Sequence, residues 1–170
     1  MKNQIEAIKK ESLRIEEDAT NTSKALYNDA SMWNVIDGLL LVSATVASVV
    51  AGFTALEVFN WGNVTIVIAS FTSAVLVAIT KSLQPAHKSA DCHQSGVLIQ
   101  SLKDRTRIFR TIDLIEVDNV QVIKDRLEEL DSERTELRKT CPQPTQIGRW
   151  RAHYGIENGE SKYQEDSASS

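Results

Sequence analysis

Charge disappears from the chain between Gly38 and Thr80, with Glu57 the single exception. Gly38 to Leu56 is a run of 19 uncharged residues, GLLLVSATVASVVAGFTAL. Val58 to Thr80 is a second run of 23, VFNWGNVTIVIASFTSAVLVAIT, whose apolar part starts near Val64. Each run has the length at which a helix crosses roughly 30 Å of hydrocarbon. A helix in a soluble core keeps polar residues on an outer face, and these runs keep almost none. The segment from Glu57 to Asn63 leaves room only for a tight turn, with Asn60, Gly62 and Asn63 as turn formers. The pattern therefore predicts an all-α membrane protein. Its centre, residues 35–81, is a two-helix transmembrane hairpin with spans of about 36–56 and 63–81. Trp33 and Trp61 stand at opposite ends of the first span as interface anchors, and Lys81 ends the second, where its ammonium can reach the head groups.

Outside the hairpin the pattern turns amphipathic. Residues 1–34 read as a cytoplasmic amphipathic helix with Ile5, Ile8, Leu13, Ile15, Ala19 and Leu26 as its apolar positions. Leu83-Gln84-Pro85 marks a break, because proline lacks a backbone donor and crowds the preceding turn. A helix is predicted from about Ala86 to Glu116, with Val97, Leu98, Leu102, Ile108, Phe109, Ile112 and Ile115 as its buried face. Val120, Ile123, Leu127, Leu130 and Leu137 continue at steps of three and four, Arg134 replacing one apolar position. Residues 86–140 are thus a long cytoplasmic helical region with a coiled-coil-like stripe. That stripe has two expected partners, the N-terminal arm of the same chain or a second copy. Pro142 and Pro144 end the helix. In the C-terminal segment, 141–170, residues 155–170 read as a disordered tail. IGRWRAHY (147–154) is expected to dock near the membrane or onto the helices.

A helical wheel divides the first span. Ser43, Ala44, Ala47, Ser48, Ala51, Gly52 and Ala55 fall in one half, and Leu39, Val42, Val46, Val49, Val50, Phe53 and Leu56 in the other. The second span gathers Ala69, Ser70, Ser73 and Ala74 opposite a bulky face of Val64, Val67, Ile68, Phe71, Val75 and Ile79. Small residues four apart let backbones approach closely in lipid. These faces either pack the hairpin on itself or, being broad, also pack further copies into a homo-oligomer. Each span hydroxyl has a default partner in its own helix backbone. In an oligomer some would line a water-filled path. With no charge inside the apolar core, a charge-ring filter is not indicated there.

Charge then orients the chain. Of 19 Lys and Arg, 5 lie in residues 1–37, none in 38–80 and 14 in 81–170. The inter-span turn has no basic residue and both flanks have several, so the positive-inside rule places both termini in the cytoplasm. No N-terminal signal peptide is visible, so an internal segment is expected to direct insertion. A net charge of −4 argues against bulk nucleic-acid binding. Cys92 and Cys141 are too few for a disulfide framework and are expected as reduced thiols. His87, His93 and His153 fit no metal-ligand spacing, and there is no phosphate loop or nucleophile elbow. Neither an enzyme nor a cofactor is expected.

A lead-in of Tyr27 and Trp33 precedes the hairpin; Leu83-x-Pro85 follows it, then His93-x-x-Gly96-x-x-Ile99-x-x-Leu102-x-x-Arg105. Over roughly residues 5–140 this resembles the SLATT family, two-transmembrane effectors associated with SMODS nucleotidyltransferases and SLOG sensor domains. Ile99 stands where that pattern expects an aromatic residue. The resemblance implies a multi-pass protein of the bacterial inner membrane in a conflict or antiviral system. A separate cytoplasmic sensor or a nucleotide second-messenger system would trigger it to assemble or open a pore, depolarising the cell and arresting growth. Two other readings fit the topology. One is an ion channel of uniporter-like topology, although the turn lacks that family's Trp-Asp and Glu-Pro signature. The other is a passive membrane scaffold that recruits a cytoplasmic partner.

Overall fold

The computed structural model describes residues 2–55, 63–114 and 119–158. The turn at 57–62 with Trp61, the end of the first span at Leu56, Ile115, Glu116 and the tail from 159 lie outside the described residues. Among the described residues there are five α-helices and no strand. They are α1 (Lys2–Ala55), α2 (Asn63–Leu83), α3 (Pro85–Ile108), α4 (Val120–Thr140) and α5 (Gln146–Glu157). A π-helical turn, Phe109–Asp113, extends α3. Residues 1–37 contain no proline or glycine, and the predicted N-terminal arm and first span form one helix of 54 residues. Two helical stretches are long and apolar enough to cross a membrane, and of their most apolar windows only 6% and 0% is buried.

The chain divides into two compact units, one made of residues 1–30 and 91–170, the other of 31–90. In the first, α1 buries Ile8, Ser12, Ile15, Ala19, Ser23, Leu26 and Ala30, spaced at three and four residues as a heptad stripe requires. Ile8 and Ile15 meet Leu102 and Phe109 of the α3 segment and Ile123 and Leu130 of α4, with Leu114, Leu127 and Leu137 partly buried around them. The predicted α4 stripe is therefore occupied by helices of the same chain. Arg134, the polar interruption in that stripe, binds Asp18 of α1 at 3.0 Å, and Arg138 reaches both oxygens of the same carboxylate at 2.8 Å. Arg110 binds Glu16 at 2.9 Å. Partly exposed pairs such as these contribute only about 0–1 kcal/mol each, so burial holds the unit and charge fixes which faces meet.

Leu13, one of the apolar positions of α1, is exposed, one position off its stripe. One predicted buried face is corrected. On α3, Val97, Leu98, Ile108 and Ile112 are exposed; the buried face is Cys92, Ser95, Gly96, Ile99, Leu102, Lys103, Thr106 and Phe109. The 3.6-residue period sets that face, and small or polar residues fill half of it, so choosing the most apolar side chains gives the wrong register. The ends of α4 follow local chemistry. Asn119 caps α4 by accepting from the Gln121 amide at 3.0 Å, and extended Cys141, which precedes Pro142, ends it.

In the second unit, α2 ends at Leu83 and α3 begins at Pro85. The predicted break falls on Gln84, whose φ of 47° is left-handed. Pro85 is buried there. Leu39, Val42, Val46, Val67, Ile68 and Phe71 all remain exposed.

The α3 register has a direct test. Leu102→Ala is expected to cost about 2–5 kcal/mol in unfolding of the detergent-solubilised protein, against less than about 1 kcal/mol for Leu98→Ala. Equal losses would contradict this register.

Candidate functional site

The small residues of the spans come together along one narrow line. Ser48 donates to the Ala44 carbonyl of its own helix at 2.9 Å, and its Oγ lies 2.7 Å from Ser73 Oγ of α2. Ser73 also reaches the Ala44 carbonyl at 3.4 Å. Ala44 is buried, and Ala47 and Ala51 are half-buried. Two crossing helices touch along a stripe of three- and four-residue steps, not over half a cylinder. Accordingly Ser43, Gly52, Ser70 and Ala74 remain exposed, and a Cβ placed on Gly52 would meet nothing within 4 Å. The Ala55 side chain lies outside the described residues. Thr45 and Thr72 return their hydroxyls to the carbonyls of Leu41 and Ile68, each at 2.8 Å, the default for hydroxyls in a helix. Lys81, expected as an interface anchor, is exposed in the last turn of α2, and Lys88 Nζ sits 4.6 Å from the centre of the Trp33 ring.

The motif residues of the other unit fasten α3 to α1. Tyr27 meets His93 edge-on, ring centroids 5.5 Å apart. Gly96 lies beneath the Tyr27 ring, where an added Cβ would come within 3.1 Å. Leu102 is in the core, and Arg105 pairs with Glu133 of α4. Burial, and secondarily the Asp104 charge, push the Tyr27 phenol above its usual range.

Sequence reasoning missed Asp29. Only 1% exposed, its carboxylate accepts from the Thr145 amide at 2.6 Å and from the Thr145 hydroxyl at 2.5 Å. Thr145 in turn caps α5, accepting from the Gly148 amide at 3.1 Å. A carboxylate at a helix N-terminus is favoured by the orphan amides and the helix dipole. Gly148 is required for this approach: a Cβ there would run into the Asp29 carboxylate and come within 2.7 Å of the Ala25 carbonyl. The one sequence signal was an acid among Ala25, Leu26 and Ala30 on the inner side of α1. IGRWRAHY thus docks on the helices, as one of its two expected placements had it. Beside it a cleft of about 590 Å³ opens between α1, α4 and α5, with Ala25, Ile99 and Ala152 on its apolar side and Arg138, Arg149 and His153 among its polar groups. That volume falls in the range of small-molecule sites. Among the described residues no three His, Cys, Asp or Glu side chains gather as a metal site would need.

Asp29→Ala is expected to release α5 and cost about 2–4 kcal/mol, since it strips a buried cap of its acceptor. Faster amide exchange across 146–157, with exchange in α4 unchanged, is the readout. The Cys92 thiol is pushed above its usual range by burial first, then by the Asp29 and Asp91 charges. The unfolded chain therefore ionises at Cys92 before the folded one does. Stability is expected to hold below the ordinary thiol range and to fall as pH rises from there toward the raised value, a fall that Cys92→Ser removes from unfolding curves.

No family model matches the chain, and no curated protein or solved structure matches it either.

Proposed function

We propose that this chain is a two-span effector of the bacterial inner membrane, of the SLATT kind its motif resembles. Triggered from the cytoplasm, it assembles with further copies and forms or opens a pore. The observation that carries this reading is the partly used small-residue surface of the two apolar helices. Ala44, Ser48 and Ser73 join α1 to α2, while Ser43, Gly52, Ser70 and Ala74 remain uncovered beside them. In lipid, where apolar side chains gain nothing by leaving their surroundings, small residues of this kind are what further helices pack against. Ser43 and Ser70 are both exposed, and in an assembly their hydroxyls would face a water-filled path. The hairpin has both arms inside, as the distribution of Lys and Arg requires. Its cytoplasmic helices receive the trigger, either from a separate sensor or from a small ligand in the α1–α4–α5 cleft.

Expression together with the native trigger is expected to collapse the membrane potential, read with a voltage-sensitive dye. Ala47→Leu and Ser48→Leu are expected to reduce that collapse about tenfold or more, because overpacking a close helix contact costs about 1–3 kcal/mol per interface and an assembly repeats it. Both variants should still resist carbonate extraction. An unchanged potential in triggered wild-type cells contradicts the proposal. So does full depolarisation by both Leu variants, the tolerance a passive scaffold would show.

A further inference from the structure

Helix α5 has two unlike sides. Gly148, Ala152 and Gly155 are buried, Gly148 against Ala25 and Asp29. Facing away, Ile147, Trp150 and Tyr154 are 56%, 67% and 62% exposed. The Trp150 and Tyr154 rings stack on each other at 6.1 Å with 20° between their planes. By the helical period, positions 147, 150, 151 and 154 share one side, which puts Arg151 beside the aromatics; Arg149 is exposed on the other flank.

We propose that this side of α5 is a lipid contact, lying against the headgroup layer of an anionic bilayer. Trp150 and Tyr154 sit in the interface, and Arg151 lies against lipid phosphates. The inference rests on the membrane reading of the two spans and adds a third, peripheral attachment to it. Three observations favour lipid over a protein partner. Trp and Tyr with adjacent Arg are the side chains that membrane interfaces select, being apolar in body and polar at the tip. The exposed strip of two aromatics and one Ile offers about 400 Å², roughly half of what each partner contributes to a stable protein interface. A symmetric contact between two copies would set Arg151 of one against Arg151 of the other, whereas anionic head groups attract it.

Full-length protein is reconstituted in phosphatidylcholine–phosphatidylglycerol vesicles, with and without bromine on the upper acyl chain. The emission lost in Trp150→Phe isolates the Trp150 signal from Trp33 and Trp61. That signal is expected to fall about twofold or more in brominated vesicles and to be shielded from aqueous iodide, as for a ring at headgroup depth. Arg151→Gln, or vesicles of phosphatidylcholine alone, should reverse most of both effects. A Trp150 signal indifferent to bromine in carbonate-resistant, inserted protein overturns the inference and leaves the two-span reading standing. Iodide shielding that grows with protein-to-lipid ratio, without bromine quenching, assigns the face to a second copy and equally overturns it. Protein that carbonate extracts from the vesicles overturns both.

Discussion

One ladder of backbone hydrogen bonds runs through α1 from Lys2 to Ala55, and both compact units are built on it. Hydrocarbon offers no partner for a free amide or carbonyl, so a segment that enters it must satisfy its own backbone, which only a helix does within a single strand of chain. The same ladder continues through the charged N-terminal stretch, where no proline or glycine interrupts it. The side chains then change character along a helix whose backbone does not. They are heptad-spaced and mixed up to Ala30, and apolar and small beyond Gly38. α1 is thus one unbroken helix that contributes residues to both units.

The charged unit has a core with an unusual share of small and polar residues. Ser12, Ser23 and Thr106 are buried, and each returns its hydroxyl to a carbonyl of its own helix, of Lys9, Thr20 and Leu102 respectively. Such residues add little apolar area, but they let neighbouring helices approach closely without leaving a polar group unmatched. Specificity comes instead from charge placed at the edges: Asp18 with Arg134 and Arg138, and Glu16 with Arg110. The Asp29 cap differs in kind, because its carboxylate is buried and meets a helix terminus in place of a cation. It converts a twelve-residue helix that buries only Gly148, Ala152 and Gly155 into a docked element.

Patterns with a strong period were legible in the sequence. The two apolar stretches, the break at Pro85, the α4 stripe and the end of α4 before Pro142 all come from local chemistry, and the helices stand where that chemistry places them. Arg134 looked like a flaw in the stripe until Asp18 supplied its partner from a distant part of the chain. Three features were not legible. The α3 face was misread because Val97 and Leu98 are more apolar than the Ser95 and Gly96 actually buried, and hydropathy does not report how closely a Tyr27 ring approaches. The division of the small span residues into covered Ala44 and uncovered Gly52 depends on a crossing point that no single helix encodes. Asp29 was missed because its partners, Thr145 and Gly148, lie more than a hundred residues away.

The pairing of the two apolar helices underlies the leftover small-residue surface and the proposed membrane hairpin and pore alike. Its most direct measurement is disulfide trapping in native membranes, with Ser48→Cys and Ser73→Cys introduced together after Cys92→Ser and Cys141→Ser. The Ser48 and Ser73 hydroxyl oxygens lie 2.7 Å apart, so mild oxidation should close a bond within one chain, seen as a faster-migrating monomer that reductant reverses. The single-cysteine variants should give no such band. Failure to cross-link, or cross-linking only between chains, would contradict a hairpin joined at Ser48 and Ser73 and remove the basis for the assembly built on it.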